Sequence, residues 1–181
     1  MQMRPQIQIQ SVIKALSDVV LPAIDPNNKL AIEQGKLSIG LLALLAQQLP
    51  NQFRFDCDEL ARLIATAREL VAQAKGGKGT QAAVAALYEA TQLAGGTLDA
   101  AQASPADVEA MVRALRVTSG QLVTEVYRDG EAGCRAGIRD AVLAMSKEQL
   151  LRDRSMLLMQ GWEPDPKAVP SIASLLDASA R

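Results

Sequence analysis

The chain has 181 residues, a formal net charge of −1, 49% hydrophobic and 22% charged residues, and only 3% aromatics. The near-neutral balance lacks the electrostatic footprint of a nucleic-acid binder, and so few aromatics offer no stacking platform for single strands. Histidine is absent, which excludes Ser-His-Asp and Cys-His nucleophilic systems, imidazole-bound zinc and the Glu-x-x-His pairs of di-iron bundles.

Along the chain, Met1–Gln10 (MQMRPQIQIQ) carries one positive charge and no continuous apolar run, so no secretory signal is expected there. Ile9, Val12, Ile13, Leu16, Val19 and Val20 then recur with a helical period, and Pro22 and Pro26 end or kink that first helix. A second helix is expected from Asn27 or Asn28 to Leu49. From Leu37 to Ala46 (LSIGLLALLA) it is apolar on all sides, which predicts a helix buried in the middle of a bundle. That run is far short of the about 20 residues a bilayer span needs. No membrane span and a cytoplasmic location are therefore expected.

Pro50 closes the second helix. Asp56, with Glu59 three residues on, reads as the capping box of a third, carrying Leu60, Leu63, Ile64, Ala67, Leu70 and Val71. The next stretch, AKGGKGTQAA (74–83), contains the residue types of a phosphate-binding loop. Such a loop needs a glycine, four residues and then Gly-Lys-Ser/Thr, between a strand and a helix. Here Gly79 follows Lys78, neither Ala72 nor Gln73 supplies the first glycine, and a helix precedes. The expectation is a connector: Gly76 and Gly77 stop one helix, and Thr80 caps a fourth, with Val84, Leu87, Tyr88 and Thr91 on one face and Gly95 and Gly96 at its end.

Ser104, Pro105 and Asp107 open a fifth helix. Helical pattern then continues nearly to Gly161, with Gly130 as a candidate breakpoint and Ser146 and Gln149 as a further capping box. Gly161–Pro170 (GWEPDPKAVP) is a linker with three prolines, followed by an amphipathic segment with Ile172, Leu175 and Leu176. The expected fold is all-α: a bundle of about six or seven helices over 1–161, then a Pro-containing linker and short docking helix over 162–181.

Two patterns are candidate binding surfaces. Val112, Leu115, Ser119, Leu122 and Val126 alternate spacings of three and four, a heptad-like seam that serves either core packing or a subunit interface. Gly130, Gly133, Gly137, Ala141 and Ala144 form a small-residue stripe. Each glycine costs a helix about 1 kcal/mol, so the stripe implies either a close helix crossing or a groove that admits a ligand. Trp162, the sole tryptophan, is expected to anchor the tail on the bundle or on a second subunit. Tyr88 and Tyr127 are expected in the core with their hydroxyls at the surface, and Cys57 and Cys134 as buried reduced thiols. The acidic clusters Asp56-Asp58-Glu59 and Glu125-Asp129-Glu131 are more simply a helix start and an ion-paired face than Mg²⁺ sites. No metal or cofactor is expected.

These features favour a non-enzymatic helical protein that works by self-association, as a homodimer, or by docking a partner protein. A binder of a small apolar or acyl ligand is the alternative. A third reading is an enzyme without histidine, using Glu125, Asp129 and Arg128 around the glycine stripe.

Overall fold

The computed structural model describes residues 4–100 and 102–179. Residues 1–3, at the head of the Met1–Gln10 segment, and 180–181, at the end of the tail, lie outside the described residues, as does Ala101. Among the described residues every regular element is helical: α1 Pro5–Ala15, α2 Lys29–Gln48, α3 Gln52–Gln73, α4 Lys78–Asp99, α5 Pro105–Asp129, α6 Ala132–Met156 and α7 Ile172–Ser179. The all-α expectation holds, at the upper end of the expected helix number.

Local chemistry sets most boundaries. After α1 the backbone widens into a π-turn over Leu16–Val20 and tightens into a 3₁₀ turn over Leu21–Ala23. Pro22 has no amide to return to the Asp18 carbonyl, so a regular α-helix cannot pass through it. Asn28 caps α2 by accepting from the Ala31 amide at 3.1 Å. Ser104 and Asp107 form a reciprocal capping box on α5, with Pro105 in its first turn. Gly130 breaks the chain between α5 and α6, in extended geometry.

Three expected boundaries are corrected. The start of α3 is Gln52, not Asp56, because the turn after Pro50 lets the apolar pattern begin at Phe53 and Phe55, one turn earlier. Gly95 and Gly96 do not close α4, which continues to Asp99; both face open space and no contact interrupts the helix there. No helix begins at Ser146: its hydroxyl donates back to the Val142 carbonyl at 2.7 Å, and α6 runs through unbroken.

The chain divides into two compact units, one comprising residues up to Gln52 with Met156–Ala168, the other Phe53–Ser155 with the chain from Val169 onward. The second unit holds the main core. Leu60, Leu63, Ile64 and Leu70 of α3 meet Leu87 of α4, Val108, Leu115, Leu122 and Val126 of α5, and Ile138 of α6. Each such side chain contributes about 1.5–3 kcal/mol on burial. α7 belongs to the same unit. Leu176 is buried, Arg54 pairs with Asp177 at 2.8 Å, and the Ser155 hydroxyl donates to the Pro170 carbonyl at 2.8 Å.

The first unit is built differently. α1 buries no side chain and α2 only Leu44 and Ala46. α2 approaches the Leu21 turn closely enough that a Cβ on Gly35 would stand 2.9 Å from the Leu21 Cδ1. At the other end of α2, Gln48 Nε2 donates to the Met156 carbonyl at 3.1 Å.

Candidate functional site

The glycine-rich loop between α3 and α4 is a clasp. Lys75–Gly77 runs antiparallel to Asp129–Glu131: the Gly77 amide donates to the Asp129 carbonyl at 3.0 Å, and the Glu131 amide to the Lys75 carbonyl at 2.8 Å. The Asp129 carboxylate then accepts from the Gly79 amide at 2.8 Å, the Thr80 amide at 3.0 Å and the Thr80 hydroxyl at 2.5 Å. An anion would use these same donors at a helix N-terminus, and here the chain's own carboxylate takes them. Chiefly the Thr80 hydroxyl, helped by these amides and the Arg128 charge, holds the Asp129 carboxyl below the usual carboxylate range. Thr80 is thus not the cap expected of it. It lies buried in the first turn, and Asp129 caps α4 from another helix. Glycine is required at position 76, where a Cβ would stand 2.5 Å from the Gly130 Cα.

The expected site residues scatter. Val112, Leu115, Leu122 and Val126 are all buried in the core of the second unit, while Ser119 borders a cleft. The stripe is divided. Gly130 lies in the clasp, Gly133 faces open space, Gly137 is closely overlaid by the Gln73 side chain, and Ala141 is buried. Gly133, Gly137 and Cys134 border a groove of about 390 Å³ with Gln73, Lys75 and Glu131. Glu125 pairs with Arg128 beside Gly79, and so supports the clasp. Tyr88 and Tyr127 are exposed, not core, and Arg135 stacks 5.9 Å from the Tyr127 ring centre. Both cysteines are free and half-buried, and burial, with Asp56 beside it, pushes the Cys57 thiol up.

A cleft between α3, α5 and α6 escaped the sequence reading. Its volume is about 400 Å³, and Leu63, Leu70, Val123, Val142, Met145 and Leu150 supply its apolar walls. Arg116, Gln149 and Asp153 also line it, joined to a buried charge cluster. Asp58 accepts from Arg62 Nε at 2.9 Å and Arg152 Nε at 2.7 Å; Arg62 Nη2 donates to Gln149 Oε1 at 2.7 Å, and Gln149 Nε2 to Asp153 at 2.8 Å. Glu59 is buried against Arg116. Desolvation outweighs Arg116 and raises the Glu59 carboxyl above the usual carboxylate range. Asp58 and Glu59, expected at a helix start, instead sit inside α3, where their i, i+1 spacing aims them at different basic partners.

The first unit carries the larger anomaly. Leu30, Leu37 and Leu41 are 72%, 63% and 56% exposed, and Leu45 is exposed on the same side of α2. The expectation that Leu37–Ala46 is buried on all sides is therefore corrected: only Leu44 and Ala46 are inside. Glu33, Lys36, Leu37, Gly40, Leu41 and Ala43 form one wall of a groove of about 560 Å³, with Met159 and Gln160 on the other. Trp162, two residues further on, is 77% exposed. Among the described residues, large apolar side chains are exposed at nine positions of the α1–α2 segment and three of 156–168, against seven in the whole of the larger unit. The charges of this unit cancel: Arg4, Lys14, Lys29, Lys36 and Lys167 against Asp18, Asp25, Glu33, Glu163 and Asp165.

No protein-family model, curated protein or solved structure matches the chain. Among the described residues no helix is long and apolar enough to cross a membrane, and no group of three or more His, Cys, Asp or Glu side chains is placed to hold a metal ion.

Proposed function

We propose that the chain works by association in the cytoplasm, without a catalytic step, and that its association surface is the exposed leucine face of α2. The observation that carries this reading is Leu30, Leu37, Leu41 and Leu45 standing in water on one helix face, bordered by the Glu33–Lys36 ion pair. Contiguous apolar patches on a folded chain mark interaction sites, and an amphipathic helix offers its partner this i, i+4, i+7 pattern. The two free cysteines suit a reducing compartment. The heptad-like seam on α5 does not serve as the surface, because its apolar members are already buried. The test is hydroxyl-radical footprinting of Leu37, Leu41 and Leu45 in native extract and in dilute purified protein. Protection in extract is expected; equal reactivity in both overturns the reading.

A second reading is supported by the α3–α5–α6 cleft. Its volume and mostly apolar lining suit a small apolar or acyl ligand. Native mass spectrometry of protein purified without detergent is expected to show a fixed mass excess lost on denaturation, and Val123→Trp, which fills the cleft, is expected to abolish it. A clean chain mass removes this reading.

A further inference from the structure

The exposed face of α2 spans Leu30 to Leu45, about 22 Å at 1.5 Å per residue. With Leu49, Met159 and Trp162 it presents seven large apolar side chains in one unit. Together these offer an area on the order of the ~800 Å² that a stable interface takes from each partner. Interfacial membrane helices carry an excess of Lys and Arg on their polar side; α2 has only Lys29 and Lys36 against Glu33, and across the unit five basic and five acidic side chains cancel. The charges that border the leucine face at the groove, Glu33 and Lys36, already pair with each other at 3.2 Å, and in an antiparallel crossing at Leu37 and Leu41 neither meets its own counterpart, so an isologous twofold interface brings no like charges together. Antiparallel pairing also sets unlike helix ends side by side. Trp162, 77% exposed, leaves the groove of its own chain unfilled, although it lies only two residues beyond Gln160 on the groove wall.

Resting on the reading of this face as an association surface, we infer that its occupant is a second copy of this chain. α2 packs antiparallel on its counterpart, with Leu37 and Leu41 at the crossing, and Trp162 of each copy covers the groove of the other.

The experiment is sedimentation velocity of the full chain up to about 100 µM, above the micromolar limit to which interfaces of this area extend, with Trp162 fluorescence read on the same samples. Trp162 is the only tryptophan, so its emission reports this interface alone. The expected result is a dimer whose emission shifts to the blue and loses acrylamide access as the dimer forms. Leu41→Lys puts an unpaired charge in the interface and is expected to raise the dissociation constant at least about a hundredfold. Leu37→Gln is a milder second variant, and Leu93→Lys, on an exposed position of α4, is expected to leave the dimer intact. Circular dichroism confirms that each variant folds. A monomer throughout the range overturns the inference, as does a dimer indifferent to Leu41→Lys or one in which Trp162 stays fully accessible. A monomer whose α2 leucines are still protected in extract leaves the association reading standing, with another protein as the occupant. A monomer without that protection removes both.

Discussion

α2 and α5 are both long helices with leucines at helical spacing, yet they use them oppositely. α5 sends Leu115, Leu122 and Val126 into a core shared with three other helices, and none of them touches water. α2 is richer in leucine but keeps Leu30, Leu37 and Leu41 mostly exposed. Periodicity therefore tells which residues share a face, not what that face meets. The difference lies in what surrounds each helix. α5 is closed in by α3, α4 and α6, whereas the first unit is too small to cover α2 on every side. Small units bury a smaller fraction of their surface and often complete their core with a partner.

A pair of truncations separates the two helices most strongly. Leu122→Ala empties a fully buried site and is expected to cost about 2–5 kcal/mol. Leu41→Ala removes an exposed side chain and is expected to change the stability of the isolated chain by less than about 0.5 kcal/mol. Urea denaturation at low concentration measures both; comparable losses would mean that α2 has a core of its own.

A smaller effect separates the clasp from the open glycines. Gly76→Ala places a methyl against the Gly130 backbone and is expected to destabilise by about 1–3 kcal/mol. Gly96→Ala, with nothing nearby, is expected to stabilise α4 by up to about 1 kcal/mol. Thermal unfolding of the two variants gives the sign of each.

The smallest effects are those of pH, and two carboxylates of the larger unit act in opposite directions. Asp129 has its folded pKa depressed, so its contribution is present above the unfolded value of about 4 and is lost as pH falls through the lower folded value. Glu59 has its folded pKa raised by burial, so its contribution is full below about 4 and is lost as pH rises through the higher folded value. Glu59→Gln, which resembles the protonated form, is expected to remove the decline above pH 4. Asp129→Asn is expected to remove the loss below it. Stability measured against pH for both variants tests the signs.

Much of the fold was legible because capping and breaking are local. Ser104-Pro105 at the head of α5, Asn28 at the head of α2 and the break at Gly130 all follow from chemistry within a few residues. What the sequence concealed depends on distant partners. Thr80 has the composition of a cap, but Asp129, far along the chain, does the capping. The pair Asp58-Glu59 looks like a helix start until Arg152 and Arg116 arrive from α6 and α5. The cleft has walls from three helices, so no single stretch carries its pattern. On α2 the apolar excess was legible; its exposure was not, because an all-round apolar helix reads the same whether the chain or a partner covers it.

The decisive measurement is amide hydrogen exchange along α2 and α5, followed over protein concentration. Local stability follows buried contacts, so at high dilution Lys29–Gln48 is expected to exchange far faster than Pro105–Asp129. Raising the concentration is then expected to slow α2 and leave α5 unchanged. Exchange in α2 as slow as in α5 at the lowest concentration would contradict the account, because the first unit would then be stable without anything bound to its leucine face.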